Sequence, residues 1–238
     1  MRLVGWTAQG RVTELVLEHG MHPDVALYRA GWVAERPLRS ECAGGEVVVE
    51  FTVRAVTPAD TPPPVRRVVH EEPGAGEIPF VHQRVGAYGV VLSDRGLLGT
   101  VLSKLTGAPG IWALPGGGLE AGEAPEAGLL REVYEETGQE IVPGRLLSLQ
   151  SDHWIGRAPG GRLEDYHALR IIYAAQCETP SRPRVLDRGG STARAGWVSI
   201  GDWQRLPWTR TARQVLNQHL PSRLSPGSRQ PDEGQSLK

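Results

Sequence analysis

The chain has 238 residues, of which 39% are hydrophobic and 22% charged, with a formal net charge of -1. That length holds one large domain or two modest ones, and the balance is that of an ordinary globular protein. A near-neutral total argues against the basic footprint of a nucleic-acid binder and gives no pull toward an anionic membrane.

In chain order, residues 1–60 read as a small β-rich module. Val12–Glu18 is a short run bracketed by Gly10 and Gly20 and reads as a strand. Another is expected near Val33–Leu38, joined through a turn at Gly44 and Gly45 to Val47–Val56. In that last run Val47, Val49, Phe51, Val53 and Ala55 share one face while Glu50, Thr52 and Arg54 take the other, the period of a half-buried strand. Residues 61–80, with Pro62–Pro64 and the polar stretch Glu71–Glu77, read as a linker, because consecutive prolines neither continue a helix nor donate to a sheet. Residues 81–220 form the main domain. Strands are expected at Arg84–Leu92, Leu97–Ser103, Leu146–Leu149, His167–Ala175 and Gly196–Ile200, with helices at Glu126–Thr137 and Trp208–Leu220. Strands before and after a central helix predict an α+β layered fold with a mixed sheet. The Ser-, Pro-, Gly- and Gln-rich residues 221–238 read as a disordered tail.

Cys42 and Cys177 form no CxxC pair and read as buried or half-buried thiols. No apolar run reaches the length of a membrane span, and the first residues lack a signal-like pattern, so a cytoplasmic protein is expected.

The chemistry concentrates between Gly117 and Gln139. Pro125 suits the first turn of the helix and Gly138 the left-handed residue beyond its end. At about 100° per residue, Glu132, Glu135 and Glu136 fall on one acidic ridge beside the apolar Leu129, Leu130 and Val133. Glu132 and Glu136 are like charges four apart, opposing the helix by a few tenths of a kcal/mol. All three sit at the negative end of its dipole, at roughly 0.3–1 kcal/mol each. A divalent cation held by clustered carboxylates compensates such an arrangement. Gly116, Gly117 and Gly118 let the backbone approach an ion or a phosphate closely. Glu123 and Arg131 are expected to pair, tying the glycine loop to the helix.

This spacing resembles the Nudix box: glycine, five residues, glutamate, seven residues, arginine-glutamate, an apolar residue, any residue, glutamate-glutamate, any residue, glycine. Gly117, Glu123, Arg131, Glu132, Glu135, Glu136 and Gly138 all match. A chance match somewhere in the chain is on the order of one in a million at average residue usage. Gln139 departs from the pattern, which prefers an apolar residue there. The resemblance implies an α/β/α sandwich over residues 81–220 and a metal-dependent pyrophosphohydrolase that cleaves a nucleoside diphosphate derivative, ADP-ribose-like or nucleotide-sugar-like, or a nucleoside triphosphate, with magnesium or manganese. It implies Glu132, Glu135 and Glu136 as metal ligands and catalytic residues, the carbonyl of Gly117 as a further ligand, and Glu123 and Arg131 as their support.

The general base is open between Glu135 inside the box and Asp187 or Glu178 later, since Ala193 stands where several relatives carry an acid. Trp154 is a candidate to stack on a base and Arg157 to meet a phosphate; His167 reads as a packed strand residue. The alternative function is a nucleotide-ligand sensor or regulatory protein. Against it, residues 1–66 hold seven Arg and no Lys against eight acids, which is not the charge of a DNA-binding module. The first module is expected to support a homodimer.

Overall fold

The computed structural model describes residues 1–64, 67–74, 76–158, 160–187 and 189–220; the expected tail at 221–238 lies outside the described residues. The first sheet is built from β1 (Arg2–Thr7), β2 (Gly10–Val16), β3 (Trp32–Ala43) and β4 (Glu46–Ala55) in the order β2-β1-β4-β3. Gly44 and Gly45 join β3 to β4 with φ of 63° and 79°, the paired positive φ of a hairpin turn whose twist matches its strands. The alternation read along β4 buries Val49, Phe51 and Val53. Its other face is also covered in part: Val48 and Glu50 are buried, and Arg39 of β3 reaches Glu50 at 2.8 Å.

Two elements of this sheet were not legible in the pattern. β1 runs parallel to β4. Helix α1 (Pro23–Arg29) crosses between β2 and β3. It is too short for a helical period to emerge, and its start is fixed locally by Pro23 and by the Nδ1 of His22 accepting from the Asp24 N–H at 3.2 Å.

The second sheet is mixed. It comprises β5 (Arg67–Val69), β6 (Phe80–Ser93), β7 (Gly96–Leu102), β10 (Val142–Arg157), β11 (Leu163–Gln176) and β12 (Thr192–Val198), in the order β12-β7-β6-β11-β10-β5. Two short strands pair with inner strands off this path: β8 (Trp112–Ala113) on β7 and β9 (Gly116–Gly118) on β6. β11 is parallel to β6 and β10 to β5, and the remaining pairs are antiparallel. Within the stretch read as linker, Arg67–Val69 adds this edge strand.

Period two sends neighbouring residues of β11 into different cores. Ile171 joins Leu129 and Val133 of helix α2 (Pro125–Thr137), together with Leu3, Leu27, Val49 and Phe51 of the first sheet. Ile172 joins Val90, Trp203 and Trp208, with Val215 and Leu216 of helix α3 (Arg210–His219). The second sheet is thus sandwiched between α2 and α3, an α+β architecture, and the first sheet shares the core on the α2 side. Among the described residues no helix is long and apolar enough to cross a membrane.

Because Leu3 is fully buried in the core shared with α2 and β11, Leu3→Ala is expected to cost about 2–5 kcal/mol of global stability. Urea unfolding followed by tryptophan fluorescence and by circular dichroism should shift together as one transition; a shift confined to part of the signal would show that the two sheets unfold separately.

Candidate active site around helix α2

Three glycines press against β6. Gly116 has φ of 133°, and a Cβ there would lie 2.2 Å from the Ala87 carbonyl oxygen. At Gly117 a Cβ would fall 2.4 Å from the Glu132 carboxylate, so the missing side chain is the space that carboxylate occupies. The Gly117 carbonyl oxygen faces Gly86 of β6, and Arg84 of the same strand lies against Gly118.

Helix α2 starts with Pro125 and ends on Gly138, which has φ of 65° and donates its N–H to the Tyr134 carbonyl at 2.7 Å. No basic side chain occupies its last turn. Its free carbonyls are met instead by a distant loop: Leu186 and Asp187 both donate backbone N–H groups to Glu135 O, at 2.8 and 3.0 Å, and Arg184 donates to Thr137 O at 2.8 Å. Asp187 is therefore brought to the acidic end of the helix through its backbone, while Glu178 is exposed beyond β11.

Arg131 uses all of its donors. Nε and Nη2 grip the two oxygens of Glu123 at 2.9 Å each, and Nη2 also reaches the Gly118 carbonyl at 3.0 Å. Nη1 bridges Glu132 at 3.0 Å and Glu135 at 3.3 Å. The guanidinium holds Glu123 below the usual carboxylate range, helped by the Glu120 N–H against the cost of burial.

The three ridge carboxylates occupy different settings. Glu135 is exposed at its side chain. Glu132 is half-buried, and burial raises its carboxyl despite the Arg131 hydrogen bond. Glu136 is 7% exposed. Its Oε2 accepts from the Gly116 N–H at 3.0 Å, and its Oε1 accepts from the Thr192 hydroxyl and, at 3.5 Å, from Ser191. Burial outweighs these bonds and pushes its carboxyl up to about 7. Thr192 and Ser191 are participants that the sequence did not announce: a lone hydroxyl pair 56 and 55 residues away carries no local signal.

Among the described residues, the oxygens of the three carboxylates do not close to within 4.8 Å of one another; Arg131 stands between two of them. The donor set nevertheless fits a hard divalent cation. It is all oxygen, as such ions prefer, and two of its members are held where burial disfavours their charge.

On the opposite face of the sheet lies a cleft of about 350 Å³, lined in part by Tyr88, Leu114, Asp152, Arg170 and Arg210. Asp152 accepts from Arg170 at 2.7 Å and from Arg210. Burial raises the Tyr88 hydroxyl, and the charges of Arg170, Arg84 and Glu136 also reach it. Trp154 and Arg157 sit on β10 rather than on a loop. Trp154 stacks on Tyr166 with ring centroids 4.9 Å apart. Arg157 is engaged by Glu71 at 2.7 Å and Glu77 at 3.1 Å. Gln139 is buried, and both ends of its amide are satisfied: Oε1 accepts from the Ser181 N–H at 2.8 Å, and Nε2 donates to the Ser181 hydroxyl at 2.9 Å.

A family model of the NUDIX domain matches residues 82–219. The nucleoside triphosphatase NudI of Klebsiella pneumoniae is 29% identical over 112 residues, covering 46% of this chain and 77% of that protein. The RNA pyrophosphohydrolase of Agrobacterium fabrum is 45% identical over 53 residues, which are 22% of this chain and 29% of that one; the chain thus spans less than a third of that relative. The crystal structure of a MutT NUDIX hydrolase from Burkholderia pseudomallei aligns with a TM-score of 0.44 and 28% identity, over 58% of this chain and 98% of the other.

The raised Glu136 carboxyl sets a pH dependence for the ion-free protein. The unfolded chain loses this proton near 4.5 and the folded chain near 7. Its contribution to stability is therefore full below about 4.5, falls by about 3 kcal/mol as pH rises through that window, and is level above it. Glu136→Gln cannot ionise and should flatten that fall. Urea midpoints in chelator at about pH 5 and about pH 8 test this; equal slopes in both proteins would refute the assignment.

Proposed function

The chain belongs to the NUDIX family, and we propose that it is a metal-dependent pyrophosphohydrolase cleaving the diphosphate linkage of a nucleoside triphosphate or a related nucleoside diphosphate derivative. The observation that carries this reading is the burial of Glu132 and Glu136 against the glycine strand, where each is disfavoured as an anion without a cation. The triphosphatase relative, matched over most of its length, supports the substrate class.

Glu132, Glu135 and Glu136 would hold magnesium or manganese, with the Gly117 carbonyl as a further oxygen. When bound, such an ion neutralises diphosphate charge and lowers the pKa of attacking water. The protein's own groups do the rest. Glu123 and Arg131 fix the ridge. Thr192 and the Gly116 N–H orient Glu136. Glu135, the most exposed of the three, takes the proton of the water as its oxygen bonds to phosphorus and the bridging P–O bond breaks. Arg170 and Arg210 line the cleft on the opposite face of the sheet, where they would meet anionic or polar parts of a nucleotide. We place the enzyme in the cytoplasm and assign residues 1–60 to homodimer contact.

Two substitutions test the site in a phosphate-release assay over a panel of nucleoside triphosphates, nucleotide sugars, ADP-ribose and dinucleoside polyphosphates, with magnesium and with manganese. Glu136→Gln should lower kcat by at least about 100-fold. Thr192→Val, which removes only the hydroxyl that orients Glu136, should lose roughly 10–100-fold. Near wild-type turnover in Glu136→Gln would remove this residue from the chemistry.

A further inference from the structure

A second set of metal-ligating side chains lies where the first sheet covers the second, and it shares no residue with the ridge on α2. In the β10–β11 pairing His153 stands opposite His167, and Ile155 opposite Asp165. Asp165 and His167 are two apart on one strand, so His153, Asp165 and His167 share a face, the same one that carries Leu169 and Ile171 into the core with the first sheet. The loop between β2 and α1 delivers His19 onto this face. Its Nε2 lies 2.8 Å from Asp165 Oδ1, and the His153 Nε2 lies 2.5 Å from the same oxygen. All three atoms are within 4.8 Å of one another.

The loop is built to hold this position. Gly20 has φ of 73°, and a Cβ there would strike the His153 ring at 2.6 Å. The Gly20 N–H donates to His167 Nδ1 at 3.1 Å, and His167 Nε2 pairs with the Ser151 hydroxyl at 2.8 Å.

Hydrogen bonds alone leave the cluster unsatisfied. His19 can donate from Nε2 as the neutral imidazole or as the imidazolium, and in either form its buried Nδ1 has no hydrogen-bond partner. With the proton moved to Nδ1, the Nε2 lone pair would face a carboxylate oxygen. A cation between the three atoms turns that second arrangement from repulsive to attractive. Two imidazoles and one carboxylate are ligands for zinc and similar borderline ions, whereas magnesium and manganese favour the all-oxygen ridge on α2. We propose that His19, His153 and Asp165 bind a divalent transition-metal ion of the zinc type, which cross-links the amino-terminal sheet to the NUDIX domain. Three protein ligands leave a further position for water, and the half-buried side chains leave it reachable.

The test uses the full-length chain carrying Glu132→Gln and Glu136→Gln, stripped with chelator and then dialysed against zinc or cobalt(II). One zinc ion per chain should remain by elemental analysis, cobalt should give the intense visible bands of a low-coordinate nitrogen–oxygen site, and zinc should raise the melting temperature. Adding His153→Ala or His19→Ala should abolish all three effects. A folded parent that holds no ion, or variants that retain as much zinc as the parent, would overturn the proposal. The parent measurement decides the matter even where a variant fails to fold. Since the ridge is disabled throughout, failure here leaves the reading of the hydrolase site standing, and the converse also holds.

Discussion

The site on α2 depends on one guanidinium. Arg131 spends every N–H it has, on Glu123, on the Gly118 carbonyl, and on Glu132 and Glu135. A helix that carries three carboxylates toward its end and no base in its last turn is electrostatically unfavourable by itself. Arg131 offsets part of that while joining three separate stretches: the glycine strand, the turn after it and the helix. Arginine rather than lysine is required, because only a planar fork donates in several directions at fixed angles. The acidic ridge is held in register with Gly117 because the same side chain touches both of their neighbourhoods.

Glu136 shows the complementary strategy. It is fixed by partners that carry no charge: an N–H of the glycine strand and the hydroxyls at the start of β12. Neutral donors orient a carboxylate without neutralising it. The division of labour is clear on this geometry: Arg131 manages the exposed side of the ridge, and Thr192 the buried side.

What could be read in the sequence was whatever is encoded within a few residues. Pro125 and Gly138 bound α2, the Gly44–Gly45 turn closes a hairpin, and the alternation of β4 marks its core face, because each rests on local backbone or period-two geometry. Helix α1 escaped because seven residues are too few to show a helical period. Trp154 and Arg157, read as candidate substrate contacts, lie on β10, which runs through Arg157 because its pairing with β11 continues to Leu163. Thr192, the Leu186–Asp187 cap and the arginine-lined cleft depend on contacts made across long separations, which no local pattern records. Gln139 departs from the apolar pattern of the box, and it fits because Ser181 satisfies both ends of its amide.

The parallel pairing of β1 with β4 has a consequence for the order of assembly. β1 is an inner strand of its sheet, yet one of its two neighbours is separated from it by β2, α1 and β3. The apolar side of that sheet then awaits β11, made later still. Early in synthesis the chain therefore carries an open strand edge and an uncovered greasy face, with no local partner to close either. Closing that edge and that face therefore waits for distant segments, and the non-local pairing slows folding and exposes the chain to mispairing until they arrive.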